Sequence, residues 1–267
     1  MENEPHREPE TREESAYFAA RRSFLNPPWN NKQLTFREVR RAGWALAGNP
    51  NDLRLFGLNP FVWYALGIRI RGRTAVEVTR DQHAQFLGQS VAHTLADIGV
   101  SVSDVIDPFV GSGNLLFHVV RATKAKRAVG LDNSADVMSL TQRNFARLRS
   151  IGWLKLDGLE LHSENWKRSD FHLADRPTLV IVAPPWGDAF DAKGLDLRKT
   201  APSMGEVLKA LSSKARTAPL FAMLQTHPLI VAESVEELRK QYQAFPSAKP
   251  QDTDTASRVD YLLLRLH

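Results

Sequence analysis

Residues 105–114 combine the residue types that bind a ligand through the backbone. A short apolar run ends in Asp107, and Gly111 and Gly113 follow one residue apart, just before the apolar run that begins at Leu115. Glycines permit positive φ and let a backbone approach a ligand, and the start of a helix offers unpaired N–H groups. The pattern therefore predicts a strand, a tight loop and a helix, with a ligand bound at the loop.

A second short strand, residues 127–132, also ends in an acid, Asp132, about 20 residues beyond Gly111. A carboxylate at this spacing can accept hydrogen bonds from the ribose hydroxyls of a bound nucleoside. A dinucleotide site would carry the pattern G-x-G-x-x-G, whereas Gly113 is followed by Asn114 and Leu115. The two acids therefore favour a nucleoside ligand other than a dinucleotide.

Residues 179–182 form a continuous apolar run typical of a buried parallel strand, and it leads into Ala183-Pro184-Pro185-Trp186. These residue types suit a planar ligand that carries a ring or exocyclic nitrogen, whose lone pair is delocalised. A site for such a ligand must accept a hydrogen bond from the N–H of that nitrogen and hold the plane of the ligand ring in position. The carbonyl of Pro184 and the ring of Trp186 can do this. Ala183, however, supplies no side-chain oxygen.

The elements that position these residues follow from periodicity. We predict strands at 73–79, 159–163, 219–224 and 259–266, and helices at 81–98, from Ser134, at 204–216 and at 232–242. The fold class is therefore α/β, with a parallel sheet and a mostly helical N-terminal extension. Asn165, after the strand at 159–163, can donate and accept hydrogen bonds, and Trp166 can pack against a flat ligand ring, with a surface turn as the alternative.

Composition divides the chain into three parts. Residues 1–15 carry six acids against two arginines, a net charge of −4 that leaves +9 on the remainder, and we expect residues 1–16 to be disordered. Residues 17–72 should form the helical extension, and residues 73–267 should form the main domain. The extension is also a possible wall of the pocket that would hold a second ligand, the acceptor. Within the extension, Asn26-Pro27-Pro28-Trp29 repeats the Pro-Pro-Trp pattern without a preceding strand, so Trp29 is expected at most to line that pocket.

The overall composition excludes several classes of protein. The chain has no cysteine, so it has no disulfide framework or thiolate metal site, and we expect no bound metal. The sequence contains no signal peptide and no apolar run of membrane-spanning length, so we expect a cytoplasmic protein without a membrane partner. The net charge of +5 is compatible with polyanion binding, although the basic residues are scattered along the sequence.

The loop Asp107-Pro108-Phe109-Val110-Gly111-Ser112-Gly113 resembles the first motif of class I S-adenosylmethionine-dependent methyltransferases, and 183–186 resembles their fourth motif. This resemblance implies a Rossmann-like, seven-stranded methyltransferase sheet with S-adenosylmethionine as the cofactor. Residues 73–267 further resemble the trimethylguanosine synthase family, which methylates the exocyclic amine of cap guanine. The most specific part is 183–200, where Ala183 and Asp188 depart from the family's serine and glycine.

By position, the resemblance assigns roles to individual residues. The cofactor would be held by Thr79, Asp107, Phe109, Gly111, Gly113, Asn114, Asp132, Asn133, Asn165, Trp166 and Ala183. Catalysis would fall to Pro184, Trp186 and Asp188, and acceptor binding to Trp29, Trp186, Phe190 and Arg198. Asp188 could accept a proton or could be a solvated loop residue.

Three hypotheses about the acceptor stay open at this point. The chain methylates a nucleobase-like or heteroaromatic nitrogen of a nucleotide or RNA, or it methylates a small metabolite of a biosynthetic pathway. The third hypothesis is a non-enzymatic relative that binds RNA or a protein partner. The oligomeric state does not follow from the sequence.

Overall fold

The structure is a computed structural model that describes residues 12–167, 175–191, 193–215, 217–246 and 259–267, with the backbone alone at 12–15 and 188. Four helices come first in the chain: α1 (Arg12–Leu25), α2 (Phe36–Ala47), α3 (Pro60–Ala65) and α4 (Gly72–Glu77). Thr35 caps α2 in a reciprocal pair with Glu38, and Asn59 caps α3, whose first residue is a proline. The predicted helical N-terminal region is confirmed.

Two local predictions for this region differ from the structure. Residues 12–16, expected to be disordered, form the first part of α1. Residues 1–11 lie outside the described part of the chain. Residues 73–79 were predicted as a strand, but most of them belong to α4. This helix ends at Glu77, and Val78, which follows it, has an extended backbone. Burial of Thr74 and Ala75 outweighs the β propensity there.

The main sheet has seven strands, interleaved with helices along the chain. The remaining elements, in chain order, are α5 (Asp81–Asp97), β1 (Asp104–Asp107), α6 (Asn114–Thr123), β2 (Arg127–Asp132), α7 (Ala135–Ser150), β3 (Gly158–Ser163), β4 (Thr178–Val182), β5 (Phe190–Asp191), β6 (Gly194–Leu195), α8 (Met204–Lys214), β7 (Leu220–Thr226), α9 (Ala232–Gln241), β8 (Gln243–Phe245) and β9 (Asp260–Arg265). Strands β5 and β6 form a separate small hairpin.

The strand order is β3-β2-β1-β4-β7-β9-β8. Strands β1 to β4 and β7 are parallel, and β9 is antiparallel to both of its neighbours. The chain moves outward from β1 to β3 and then returns to the other side of β1, so the order reverses between β1 and β4. Ligands of open α/β sheets bind at such a switch point, beyond the carboxyl ends of the strands. The predicted seven-stranded α/β fold is confirmed.

The N-terminal extension shares a hydrophobic core with the sheet. Phe56 lies between the rings of Phe117 on α6 and Phe145 on α7, with ring centroids 5.3 and 5.7 Å away. Polar side chains of the main domain bind the backbone around it: Asn114 Oδ1 accepts from the Phe56 N–H at 2.6 Å, and Trp153 Nε1 donates to the Phe56 carbonyl at 2.7 Å. These contacts fix the extension against α6 and α7.

Candidate active site

A cavity of about 560 Å³ lies at the carboxyl ends of the parallel strands. It is lined by the loops after β1, β2, β3 and β4, and by residues of α1, α2 and α4. Of the residues assigned by sequence, the structure brings together here Thr79, Asp107, Phe109, Gly111, Asp132, Asn133, Asn165, Trp166, Ala183, Pro184, Trp186 and Phe190. The two acid-tipped strands and the proline-rich corner thus border one space.

Asp107 ends β1 and is almost fully buried, with Oδ1 accepting a hydrogen bond from the Phe109 N–H at 3.0 Å. Burial raises the pKa of this carboxyl to about 7; the Phe109 N–H opposes the rise and the charge of Asp132 adds to it. The folded protein therefore binds a proton at Asp107 more tightly than the unfolded chain does. The resulting stability is present below about pH 4 and is lost as the pH rises through about 7.

We predict that Asp107→Asn removes this pH dependence. The variant should gain stability relative to the wild type as the pH rises from about 4 to 8, by roughly 2–4 kcal/mol in the ligand-free protein. Urea unfolding of both proteins across this range measures the difference, and Asp157→Asn, which removes an exposed acid, is the matched control. A variant-to-wild-type difference that stays constant with pH would contradict the prediction.

Asp132 ends β2 and organises the adjoining loops. Its Oδ2 accepts from the Gly111 N–H at 3.2 Å and its Oδ1 from the Ser134 N–H at 2.8 Å. Burial raises the pKa of Asp132, opposed by the Ser134 N–H and by the charge of Arg73. Each carboxylate oxygen can accept a second hydrogen bond, so the group can still receive hydroxyls from a ligand in the cavity.

The two glycines of the loop have different tasks. Gly111 has φ +49°. Among the described residues other than its chain neighbours, the atom nearest to an added Cβ is the Phe109 carbonyl oxygen at 3.9 Å, so the backbone of Gly111 stays open to the cavity. Gly113, which does not line the cavity, has φ +77°, and an added Cβ would lie 2.2 Å from Cε2 of Phe145. Gly113 therefore admits the Phe145 ring, whereas Gly111 exposes backbone to a ligand.

Gly113→Ala should destabilise the fold more than the same change at another left-handed glycine. We expect a loss of about 2–4 kcal/mol, the sum of left-handed strain and displacement of the Phe145 ring. Gly99 has φ +72° with nothing within 4 Å, so Gly99→Ala should cost only about 1–2 kcal/mol. Thermal unfolding compares the two variants, and equal losses would mean that the ring contact contributes nothing.

Asn114 is fully buried and does not reach the cavity. Its side chain accepts from the Phe56 N–H and donates to the Thr79 carbonyl at 2.9 Å, so it joins the extension to the segment before α5. Thr79 itself lines the cavity, and its Oγ1 donates to Gln225 Oε1 at 2.8 Å. The side-chain positions of Gly113 and Asn114, two residues assigned by sequence to the cofactor, thus face the core and do not line the cavity.

Asn165 and Trp166 follow β3 and border the cavity from its far side. Asn165 is exposed, with Oδ1 accepting from the Lys167 N–H at 2.9 Å, which leaves its amide N–H groups toward solvent or ligand. Trp166 is buried, edge-on to Phe109 at 6.0 Å between ring centroids. The pair offers a hydrogen-bond donor beside an apolar wall.

Three rings form an aromatic corner beyond Pro184. Trp186 is edge-on to Phe190 at 5.2 Å and to His227 at 6.0 Å, and Phe190 is 4.5 Å from His227. His227 lies directly after β7, and its Nδ1 accepts from the Leu229 N–H at 3.0 Å, which places the hydrogen of the neutral ring on Nε2. Packing against Phe190 and His227 fixes the orientation of the half-buried Trp186 ring.

Two predicted acceptor residues do not line this cavity. Trp29 packs against Phe24, with Lys32 Nζ 5.0 Å and the Arg41 guanidinium 5.5 Å from the centre of its ring. Arg198 forms an ion pair with Asp196 at 2.9 Å, which raises the pKa of the guanidinium. Local pairing thus holds both side chains elsewhere. The side chain of Asp188, the third predicted catalytic group, lies outside the described part of the structure.

Sequence reasoning missed several residues that line the cavity. Tyr17 and Arg21 reach it from α1, and the Arg21 guanidinium lies 6.0 Å from the centre of the Phe190 ring. Glu77, at the end of α4, lines it too; burial raises the pKa of this carboxyl, against the charge of its partner Arg73 at 2.8 Å. Of these residues, His227 was the one that the sequence could have indicated. It comes at the end of an apolar run that predicts a strand, as Asp107 and Asp132 also do.

No family model matches the chain, and no curated protein matches it. Among solved structures, N-methyltransferase NodS from Bradyrhizobium japonicum is 12% identical, with a TM-score of 0.45 over 69% of this chain and 93% of that one. Its complex with S-adenosylhomocysteine is 13% identical, with a TM-score of 0.45 over 69% and 85% of the two chains. An rRNA methylase from Streptococcus thermophilus is 15% identical, with a TM-score of 0.40 over 66% and 93%.

Two features are absent from the part of the chain that the structure describes. No group of three or more His, Asp or Glu side chains in that part of the chain could hold a metal ion. Nor does any helix there have the length and apolar character needed to cross a bilayer.

Proposed function

We propose that this chain is an S-adenosylmethionine-dependent methyltransferase that acts on a planar nitrogen of a nucleobase-like or heteroaromatic acceptor. The observation that carries the proposal is the convergence of four strand ends on one cavity, with acids after β1 and β2 and a Pro-Pro-Trp corner after β4. The likeness of residues 183–200 to the trimethylguanosine synthase family supports the nitrogen acceptor.

The residues at the acid end fit the cofactor chemically. The ribose of S-adenosylmethionine carries two hydroxyls, and Asp132 is the carboxylate that would accept their hydrogen bonds. Gly111 has no side chain, so an adenosyl group could lie directly against the backbone of the loop. A larger residue at this position would project its side chain into that space. Asp107 and Glu77 add acidic character that suits a cationic ligand. When bound, the cofactor supplies an electrophilic methyl group on a positively charged sulfur.

The residues at the aromatic end would position the acceptor. Trp186 would stack on the acceptor plane, and the Pro184 carbonyl would accept a hydrogen bond from the N–H of the nitrogen to be methylated. As the nitrogen gains the methyl group it loses a proton to solvent or a nearby base. Because Ala183 has no side-chain oxygen, the Pro184 carbonyl would be the hydrogen-bond acceptor for that nitrogen. Stacking on Trp186 would therefore contribute more to positioning the nitrogen than in proteins that have a serine at this place.

The N-terminal extension would complete the acceptor pocket. Phe18 of α1 lies 5.8 Å from Phe190, and Tyr17 and Arg21 line the cavity beside it. The position of these α1 residues beside the cavity is the observation that favours the alternative acceptor, a small metabolite of similar planarity. Arg21 would then bind an anionic or carbonyl group of that molecule.

Calorimetric titration of the full chain with S-adenosylhomocysteine tests the proposal. We expect one binding site and a dissociation constant in the micromolar range, followed by transfer of radiolabelled methyl from S-adenosylmethionine to a nucleotide or oligonucleotide acceptor. Absence of detectable binding would remove the donor and with it the methyltransferase assignment. Binding with transfer to small heteroaromatic compounds only would favour the alternative.

A further inference from the structure

The outer face of α2 gathers three arginines and a tryptophan that the proposed reaction does not use. Arg37, Arg40, Arg41 and Trp44 recur at the spacing i, i+3, i+4 and i+7, so they project from one side of the helix. All four are exposed, and they border a shallow depression with Phe36 and Pro50. We refer to Arg37, Arg40, Arg41 and Trp44 as the basic face.

The arginines of the basic face keep their positive charge available within the part of the chain that the structure describes. Among the described residues, no ion pair involves Arg37, Arg40 or Arg41. The single acid of α2, Glu38, is already held by the Thr35 cap and by Lys32, whose Nζ lies 2.5 Å from its carboxylate. A concentration of unpaired guanidinium groups of this kind attracts an anionic partner.

Large aromatic side chains are exposed in the same region. Trp44 is 66% exposed and Phe61 of α3 is 70% exposed. Phe36 lies between these two residues: its ring centroid is 6.2 Å from that of Phe61, and it borders the same depression as Trp44. Trp29, at the border of the face, lies beside Lys32 and Arg41. Aromatic surface of this size is costly to leave in water and marks a place where a partner packs.

We infer that the basic face binds single-stranded nucleic acid. Strand-binding surfaces combine cations that follow the phosphates with aromatic rings on which bases stack, and arginine serves both contacts better than lysine. A membrane is a poorer fit, because an interfacial helix needs an apolar side free for insertion. The apolar side of α2 is buried in the core through Val39, Ala42 and Gly43.

The position of α2 connects this surface to the candidate active site. Gly43, Leu46 and Ala47 of the same helix line the cavity, while the basic face projects away from the core. On this inference, a strand with one nucleotide in the cavity would continue over α2, with its neighbouring phosphates and bases on the basic face. The use of this face in substrate recognition rests on the proposed methyltransferase function, and it specifies a strand of RNA or DNA as the acceptor.

Fluorescence anisotropy with a short fluorescein-labelled oligouridylate and the full chain tests the inference. Replacing Arg37, Arg40 and Arg41 together with glutamine should weaken binding about a hundredfold at about 0.1 M salt and reduce the salt slope by about two. Trp44→Ala should weaken it about tenfold. The matched control replaces Arg143, Arg149 and Lys155, also exposed, with glutamine, and it should bind within about threefold of the wild type.

Separate readouts distinguish failure of this inference from failure of the proposed function. Loss of oligonucleotide binding in the α2 variants, with unchanged binding of S-adenosylhomocysteine, supports the basic face. Equal losses in the control variant, or no loss in either, would overturn it, as would an α2-dependent affinity for phosphatidylserine vesicles without affinity for the oligonucleotide. A wild type that binds the oligonucleotide through α2 but not S-adenosylhomocysteine would retain this surface and remove the methyltransferase assignment.

Discussion

Replacing Asp132 with alanine should weaken the binding of S-adenosylhomocysteine by about 1–3 kcal/mol, which is roughly 5- to 150-fold in the dissociation constant. The carboxylate is the group at the end of β2 that can accept the ribose hydroxyls, and hydrogen bonds to an ionised acceptor are the stronger kind. The change also releases the N–H groups of Gly111 and Ser134, which the carboxylate holds at 3.2 and 2.8 Å. Calorimetry at neutral pH measures the loss.

Two further variants separate ligand contact from loop disorder. Asp132→Asn keeps an oxygen for the loop N–H but loses the charge, so its affinity should fall between those of alanine and wild type. Asp136→Ala, at a side chain 69% exposed and paired with Arg71 at 3.2 Å, should leave the affinity unchanged. Wild-type affinity in Asp132→Ala would show that the cofactor does not contact the end of β2.

Replacing Trp186 with alanine should lower kcat/KM for methyl transfer by about a hundredfold or more, while the affinity for S-adenosylhomocysteine stays within about threefold. The ring would hold the acceptor nitrogen near the methyl carbon, and misplacement of a reactant by about 1 Å can cost a hundredfold in rate. Cofactor affinity should survive, because the residues proposed to hold the adenosyl group follow other strands. Radiolabelled transfer to the acceptor and calorimetry measure the two quantities.

The comparison with Trp186→Phe makes this prediction specific. Phenylalanine preserves a flat stacking face and the contacts with Phe190 and His227, which lie 5.2 and 6.0 Å away. It should therefore recover most of the lost activity. A large loss of cofactor affinity in Trp186→Ala, or equal inactivity of both variants, would contradict a role in acceptor stacking.

The sheet and its loops were predictable because their signals are local. Apolar runs ending in Asp107 and Asp132, and the run before Ala183, give strands whose carboxyl ends must meet at one edge once the sheet is parallel. The order reversal between β1 and β4 then brings these loops around a single cavity. Residue type and periodicity predict the strands and their acidic ends, whereas the seven-stranded sheet was expected from the resemblance to class I methyltransferases.

The other parts of the site depend on packing between distant segments. Residues 73–79 have a strand composition, yet most of them form α4 against α1 and α2, and nothing in their own sequence shows those neighbours. Gly113 and Gly111 are alike in sequence and differ only in what faces them, a phenyl ring or an open cavity. Trp29 belongs to a Pro-Pro-Trp sequence like that at 184–186, but no strand precedes it to bring it to the edge of the sheet. Its ring packs beside Lys32 and Arg41 instead.

The insertion of Phe56 between Phe117 and Phe145 has a consequence for how such a chain can evolve. A segment whose ring packs inside the main domain cannot be exchanged independently of that domain, since a chain starting after it would expose both phenyl rings and leave Asn114 Oδ1 without the Phe56 N–H.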